Sequence, residues 1–283
     1  MDIIQFNEIV KLQGLAEVID HRDKRNPSGN LPYHGNKHMN FMLSDCLNSY
    51  LYYQVWERGN QPIIEYSAIF YAAIFHDVDH SGGLLTDDLN VDNAIEAWRT
   101  FVDSPTSNTC ISEAHTYHGK MVRLMVPVLI RATQYPYIEI TESQEYREYV
   151  EADMHYHASV LDACYVLRDA DLMSIYHGDI GFELVNQGLY EEMSSEDSIY
   201  GPMTYDVFIE KETEFLHNVK WFTLWGKRRA VVMDYPKLVQ DLLADAENYL
   251  FGYAMKKMYL EMKKHTEEQC KKKRNKGIRR ERK

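Results

Sequence analysis

With 283 residues, 45% of them hydrophobic, the chain can bury an ample core as one large domain or two small ones, which excludes a disordered or fibrous protein. Its net charge of −12 is unevenly spread: residues 256–283 hold thirteen Lys and Arg against four Asp and Glu, leaving 18 basic and 39 acidic side chains on the rest. So acidic a body is a poor nucleic-acid surface, because phosphate binding needs a basic field. Positive charge for any phosphate ligand must then be local, and metal ions are its simplest source.

The N-terminal stretch lacks a basic segment followed by a long apolar run, so no signal peptide is expected. Ile3, Ile4, Phe6, Ile9, Val10, Leu12 and Leu15 recur at helical spacing, and the polar run HRDKRNPSGN (residues 21–30) reads as the loop that ends this helix. His34 and His38 follow, four residues apart, which would put them on one face of a helix. Residues 39–56 read as a helix stopped by Gly59-Asn60-Gln61-Pro62. Residues 63–75 form an almost wholly apolar helix, too short to span a bilayer and interrupted by Glu65. Beyond His76-Asp77-Val78-Asp79-His80-Ser81-Gly82-Gly83, a polar loop enters an amphipathic helix from about Thr86 to Phe101, with Thr86 or Asp87 as its cap. A long helix is expected over residues 111–134, kinked at Pro127. One or two more are expected over 141–171, then 207–219 and 236–262. No β-rich runs occur at hairpin spacing, so the expected fold is all-α: one domain over residues 1–262, with a basic, solvated tail at 263–283. The four cysteines, Cys46, Cys110, Cys164 and Cys270, are scattered without a C-x-x-C pair, which fits a reducing, cytoplasmic setting.

The apolar helix ends in ionisable residues, and buried charges are costly unless they are paired or bind a metal. His34, His38, His76, Asp77, His80 and Asp171, with Asp169 as a competitor, are the candidates for a site. Imidazole plus carboxylate without thiolate suits zinc, manganese, iron or magnesium. An aspartate able to bridge two such ions makes phosphate-ester hydrolysis the natural reaction class. His115, His118, His155, His157 and His177 read as structural or surface residues.

The order H…HD…D, carried by His38, His76-Asp77 and Asp171, resembles the signature of the HD superfamily of metal-dependent phosphohydrolases. The closer resemblance is to the catalytic domain of the cyclic-nucleotide phosphodiesterases. Tyr33-His34-Gly35-Asn36-Lys37-His38 is similar to that family's Y-H-N-x-x-H, with Gly35 in place of the asparagine. His76-Asp77-Val78-Asp79-His80-Ser81-Gly82 matches H-D-V-D-H-P-G except at Ser81, and Asp169-Ala170-Asp171-Leu172-Met173 resembles C-A-D-L-S. The resemblance implies that His38, His76, Asp77 and Asp171 ligate one divalent ion and that Asp77 bridges to a second. It implies that His34, beside Tyr33, is the general acid for the leaving O3′, and that His80 touches the bridging hydroxide or the phosphate. Asp92 and Asn93 fall where the family has the first two residues of E-N-H-H, whose histidines are here Ala94 and Ile95.

The family's base-reading segment resembles Lys211-Glu212-Thr213-Glu214-Phe215-Leu216, which keeps the aromatic as Phe215 but has Glu212 for the glutamine. Glu212 then either favours a donor-rich guanine edge, since an ionised carboxylate only accepts hydrogen bonds, or is an exposed helix acid. The implied partner is a small nucleotide, with neither nucleic acid nor membrane, and the oligomeric state is left open. A nucleotidase or deoxynucleotide phosphohydrolase with the same ligands, and a catalytically silent binding protein of the same fold, are the alternatives.

Overall fold

A computed structural model describes residues 15–55, 66–104, 107, 117–152, 157–174 and 184–232. Among these residues the protein is all-α, without a strand. Chain contacts divide it into two units, Met1–Tyr205 with Lys220–Met233, and Asp206–Val219 with Asp234–Lys283. The helix expected at 236–262, the basic tail and the first helix expected at residues 3–14 lie outside the described residues.

In the first unit, α1 (Leu15–Arg25), α2 (Asn36–Val55), α3 (Tyr66–Phe75), α4 (Asp87–Val102) and α5 (Tyr117–Ala132) come first. A 3-10 turn (Ile140–Glu142) leads into α6 (Gln144–Ala152) and α7 (His157–Ser174). A π-turn (Leu184–Leu189) runs into α8 (Tyr190–Met193). The second unit holds nearly all of α9 (Tyr205–Asn218), and α10 (Leu224–Val232) returns to the first. The π-turn, α8 and α10 have no counterpart in the sequence reading. Each is too short to show an apolar period.

The hydrophobic post is α3. Nine of its ten residues are buried, so it has no polar face to turn outward. It packs against α1, α2, α4, α5 and α7, which supply apolar faces on all sides. Trp98 and Phe101 of α4 close on Phe75 at ring distances of 5.4 and 5.2 Å. Burying aromatic side chains of this size contributes about 1.5–3 kcal/mol each.

The first helix continues into the segment read as a loop, ending at Arg25. Its inner face is Leu15, Val18 and Arg22. Arg22 is wholly buried yet bonded through Nη2 to Asp23 and to Asn40 of α2 (2.6 and 2.8 Å). The guanidinium thus acts as an inward residue, which a hydropathy pattern does not reveal. His34 precedes α2 rather than sharing a helical face with His38. Pro127 sits inside α5, as expected. Thr86 is the cap of α4, though its side chain makes no hydrogen bond to the helix end.

Candidate metal and acid–base site

The site begins where α3 ends. His76 N still bonds to Ala72 O (2.9 Å), after which the chain turns through Val78 N to Phe75 O and His80 N to Asp77 O. Asp79 takes a left-handed backbone (φ 63°), and Gly82 and Gly83 follow at φ 64° and 88°. A non-glycine residue holds such a conformation only where neighbours impose it. Here Asp79 N donates to Asn26 Oδ1 (3.0 Å), and Asn93 Nδ2 donates to Asp79 O (3.3 Å). His80 N donates to Ser28 Oγ (3.1 Å), and Ser28 Oγ donates to Asn26 Oδ1 (2.7 Å). The polar run before His34, which in sequence looked only like a helix stop, is therefore a clamp on the HDVDH turn.

Four ligand-type side chains meet there from α2, the α3 end and α7. His76 Nε2 lies 3.2 Å from His38 Nε2 and 3.0 Å from Asp77 Oδ2. His38 Nε2 lies 3.1 Å from Asp171 Oδ1 and 3.4 Å from Asp77 Oδ2, and His76 Nε2 is 3.8 Å from Asp171 Oδ1. Ligand atoms on one ion at metal–ligand lengths near 2.1 Å stand about 3–3.5 Å apart. The observed spacings match that. His76 Nδ1 donates to Ala73 O (3.1 Å), which leaves the Nε2 lone pair pointing into the cluster. Asp77 Oδ2 is buried without a hydrogen-bond partner. Two facing imidazole nitrogens beside an orphaned carboxylate oxygen form a donor set that fits a divalent cation, and His38, His76 and Asp171 form a group able to hold one. Burial alone would raise the Asp77 pKa, but the imidazoles of His76, His34 and His38 overcome it and hold the carboxyl well below its usual range. His76 shifts upward: burial opposes its charged form, and the charge of Asp77 outweighs that.

Beside this cluster stands a second one, His34, His80 and Glu192. Glu192 is almost fully buried, and its carboxylate is saturated by the His34 segment. Oε1 accepts from Tyr33 N (2.5 Å) and His34 N (3.0 Å), and Oε2 accepts from His34 Nδ1 (2.6 Å). Burial by itself would lower the His34 pKa. The hydrogen bond and charge of Glu192, helped by Asp77 and Asp87, raise it to about 9. His80 stacks on His34 with ring centroids 3.7 Å apart and goes the other way: burial, then the charge of His34, push it well below 6.5. His80 Nδ1 accepts from Gly82 N (3.1 Å), so the neutral ring carries its proton on Nε2. Tyr33 is buried with its ring 4.7 Å from His38 and 4.5 Å from His34.

Glu192 was missed in the sequence. It lies in an acidic run, YEEMSSEDS, where nothing distinguishes it from its neighbours. What places it is the π-turn, whose Gly188 packs so closely on the backbone before His34 that a Cβ there would come within 2.6 Å of Pro32 O. Gly188→Ala is expected to cost about 1–3 kcal/mol of stability through overpacking against rigid backbone, read as a lowered thermal midpoint.

Asp169 is no ligand. Its buried carboxylate accepts from Phe222 N, Thr223 N and Thr223 Oγ (3.0, 2.8 and 2.6 Å) and so holds the start of α10. Asp92 is an exposed acid paired to Arg131, which also binds Glu145. Of Tyr33, Asp92 and Asn93, Tyr33 packs on His34 and His38, and Asn93 reaches the turn through the backbone of Asp79. Glu212 and Phe215 lie on α9 in the second unit. Glu212 is buried, which corrects the reading of an exposed helix acid; Oε1 has no hydrogen-bond partner, and burial pushes its carboxyl to about 7. It is part-protonated near neutrality, so a purely accepting role does not follow. Cys46 and Cys164 are buried free thiols. No described helix is long and apolar enough to cross a membrane.

No family model, no curated protein and no solved structure matches the chain.

Proposed function

We propose that the protein is a metal-dependent phosphodiesterase acting in the cytoplasm on a cyclic nucleotide, whether a cyclic mononucleotide or a cyclic di- or oligonucleotide signal. The observation that carries this reading is the pairing of two constellations, a convergent His38–His76–Asp77–Asp171 donor set and, next to it, an imidazole held by a buried glutamate. The resemblance of YHGNKH and HDVDHSG to the HD superfamily and its cyclic-nucleotide branch supports the same reading.

In this reading His38, His76, Asp77 and Asp171 would hold divalent metal, of zinc, manganese, magnesium or iron, with two ions expected from the family resemblance. Held there, such metal would supply Lewis acidity, a water of lowered pKa and charge to offset phosphate oxygens beside an acidic body. His34 holds a proton on the ring nitrogen opposite Glu192 and delivers it to the departing oxygen as water adds to phosphorus and the ester P–O bond breaks. The product is a phosphate monoester. Glu192 keeps His34 charged and oriented, and the neutral His80, stacked on it, offers an Nε2–H to the phosphate. Tyr33 packs between the two imidazoles of its own segment.

The test is hydrolysis of bis-p-nitrophenyl phosphate by protein loaded with Mn²⁺, followed by cyclic mono- and dinucleotides, nucleoside monophosphates and deoxynucleoside triphosphates, with products resolved by chromatography. Metal-dependent release of p-nitrophenolate and opening of a cyclic phosphate are expected. Turnover confined to triphosphates would move the protein to the deoxynucleotide phosphohydrolases. Tight metal binding with no turnover of any substrate would leave a ligand-binding protein of this fold.

A further inference from the structure

The segment between α1 and α2 is a tight knot of backbone. Gly29 N donates to Asn26 O (3.2 Å), Leu31 N to Ser28 O (2.9 Å), Gly35 N to Tyr33 O (2.8 Å) and Asn36 N to Gly29 O (3.0 Å). A side chain does not fit where these turns cross: a Cβ on Gly35 would come within 2.5 Å of Leu31 O and 2.9 Å of Gly29 O. His34 rides on this knot, one residue before Gly35.

Asn26 sits at the base of the knot, buried, with both ends of its side chain in use. Nδ2 donates to Asn36 Oδ1 (2.8 Å), at the first residue of α2. Oδ1 accepts from Asp79 N (3.0 Å), Ser28 N (3.2 Å) and Ser28 Oγ (2.7 Å). Ser28 Oγ in turn accepts from His80 N (3.1 Å). One amide therefore ties the knot that carries His34 to the turn that carries His80. A carboxylate in its place would lack the donor for Asn36, and a hydroxyl has no second atom to span the two. The two rings so tied are the stacked pair, 3.7 Å apart, and the His34 ring lies 6.2 Å from that of His38 in the donor cluster. Among the described residues Asn26 makes no hydrogen bond to His38, His76, Asp77 or Asp171, which are carried by α2, the end of α3 and α7.

We propose that Asn26 is a positioning residue that fixes His80 against His34. Through its amide the HDVDH turn and the His34 knot behave as one body, so the stack keeps its place beside the donor cluster. The cluster itself is held separately, by its helices. For turnover the inference rests on the phosphodiesterase reading; for the geometry of the two rings it does not. A side chain that acts through others costs rate when it lets reacting groups drift, and a displacement of about 1 Å costs about 10²-fold.

The experiment compares Asn26→Ala, Asn36→Ala and Asn36→Asp in the full chain. Asn36→Asp keeps an oxygen for Asn26 Nδ2 and suits the first turn of a helix, whereas Asn36→Ala removes that oxygen. The imidazole C–H signals of His34 and His80 are followed by NMR in metal-free protein, where each stacked ring displaces the other's signals upfield. That displacement is expected to be lost in both alanine variants and kept in Asn36→Asp. Mn²⁺ affinity, measured by calorimetry, should fall by less than about tenfold, below the loss that follows removal of a partner that orients a ligand. With diphenyl phosphate as substrate, kcat should drop about 10²-fold in Asn26→Ala and less in Asn36→Ala, KM should stay nearly unchanged, and Asn36→Asp should restore the rate. Unmoved ring signals in Asn36→Ala, a loss in Asn36→Asp equal to that in Asn36→Ala, or Mn²⁺ affinity that falls in step with kcat overturns the proposal. The Asn36 pair decides it even where Asn26→Ala does not fold. Absence of hydrolysis by wild type would instead remove the phosphodiesterase reading, while the ring signals still decide the positioning role.

Discussion

Asp77→Ala is expected to abolish metal binding and hydrolysis together. Asp77 Oδ2 is a buried oxygen without a hydrogen-bond partner, 3.0 Å from His76 Nε2 and 3.4 Å from His38 Nε2. Removing it leaves two imidazoles and Asp171, and takes away the charge that holds His76 upward. Loss of a partner that merely orients a ligand costs about 10–100-fold in metal affinity, so loss of the ligand itself should exceed about 100-fold. Metal content after dialysis, measured by atomic absorption, and turnover of bis-p-nitrophenyl phosphate give the two readouts. Full metal content with lost turnover would assign Asp77 to the chemical step alone. Retention of both would remove it from the site.

Glu192→Gln should separate orientation from charge at His34. The amide keeps an oxygen and the shape but not the negative charge, so the His34 pKa should fall from about 9 towards the ordinary imidazole value of about 6.5. Imidazole chemical shifts in the metal-free protein, followed against pH, measure this directly. The sign for stability follows from linkage: a pKa raised in the folded state stabilises it fully below about 6.5, and that contribution is lost as pH rises through about 9. The stability of wild type over Glu192→Gln should therefore shrink across that window. Turnover should fall by about 10²–10⁴-fold for esters with poor leaving groups and much less for p-nitrophenolate, which departs without a proton. Equal losses for both leaving groups would take proton delivery away from the His34–Glu192 pair.

Comparison of the two halves of this site shows what a linear reading can reach. The metal-ligand candidates were legible because their signal is local: an apolar helix ending in His76-Asp77 places ionisable groups where burial demands a reason, and His38 and Asp171 fall on strong helices. The π-turn and Glu192 were not legible. Six residues of π-turn carry no period, and one glutamate among four acids in nine residues carries no mark of burial. Asp169 and Asp171 looked equivalent on paper. Their two-residue spacing turns them about 200° apart around α7, so one meets the histidines and the other meets the start of α10. Arg22 and the Asn26–Ser28 clamp read as loop in the sequence for the same reason: polar residues that are buried by mutual hydrogen bonding look like loop.

The amino-acid order alone settled the helical class, because hydrophobic period and helix punctuation are properties of neighbouring residues. It also settled the location of the HDVDH turn, since an apolar run that ends in charge is visible without a partner. Folding decided which acid serves which base. Distances between Glu192 and His34, or between Asp171 and His38, depend on packing of segments more than a hundred residues apart. A carboxylate's surroundings are set by what those contacts leave around it. Thus Asp77, Asp169, Glu192 and Asp87, four carboxylates alike in sequence, stand in four different environments.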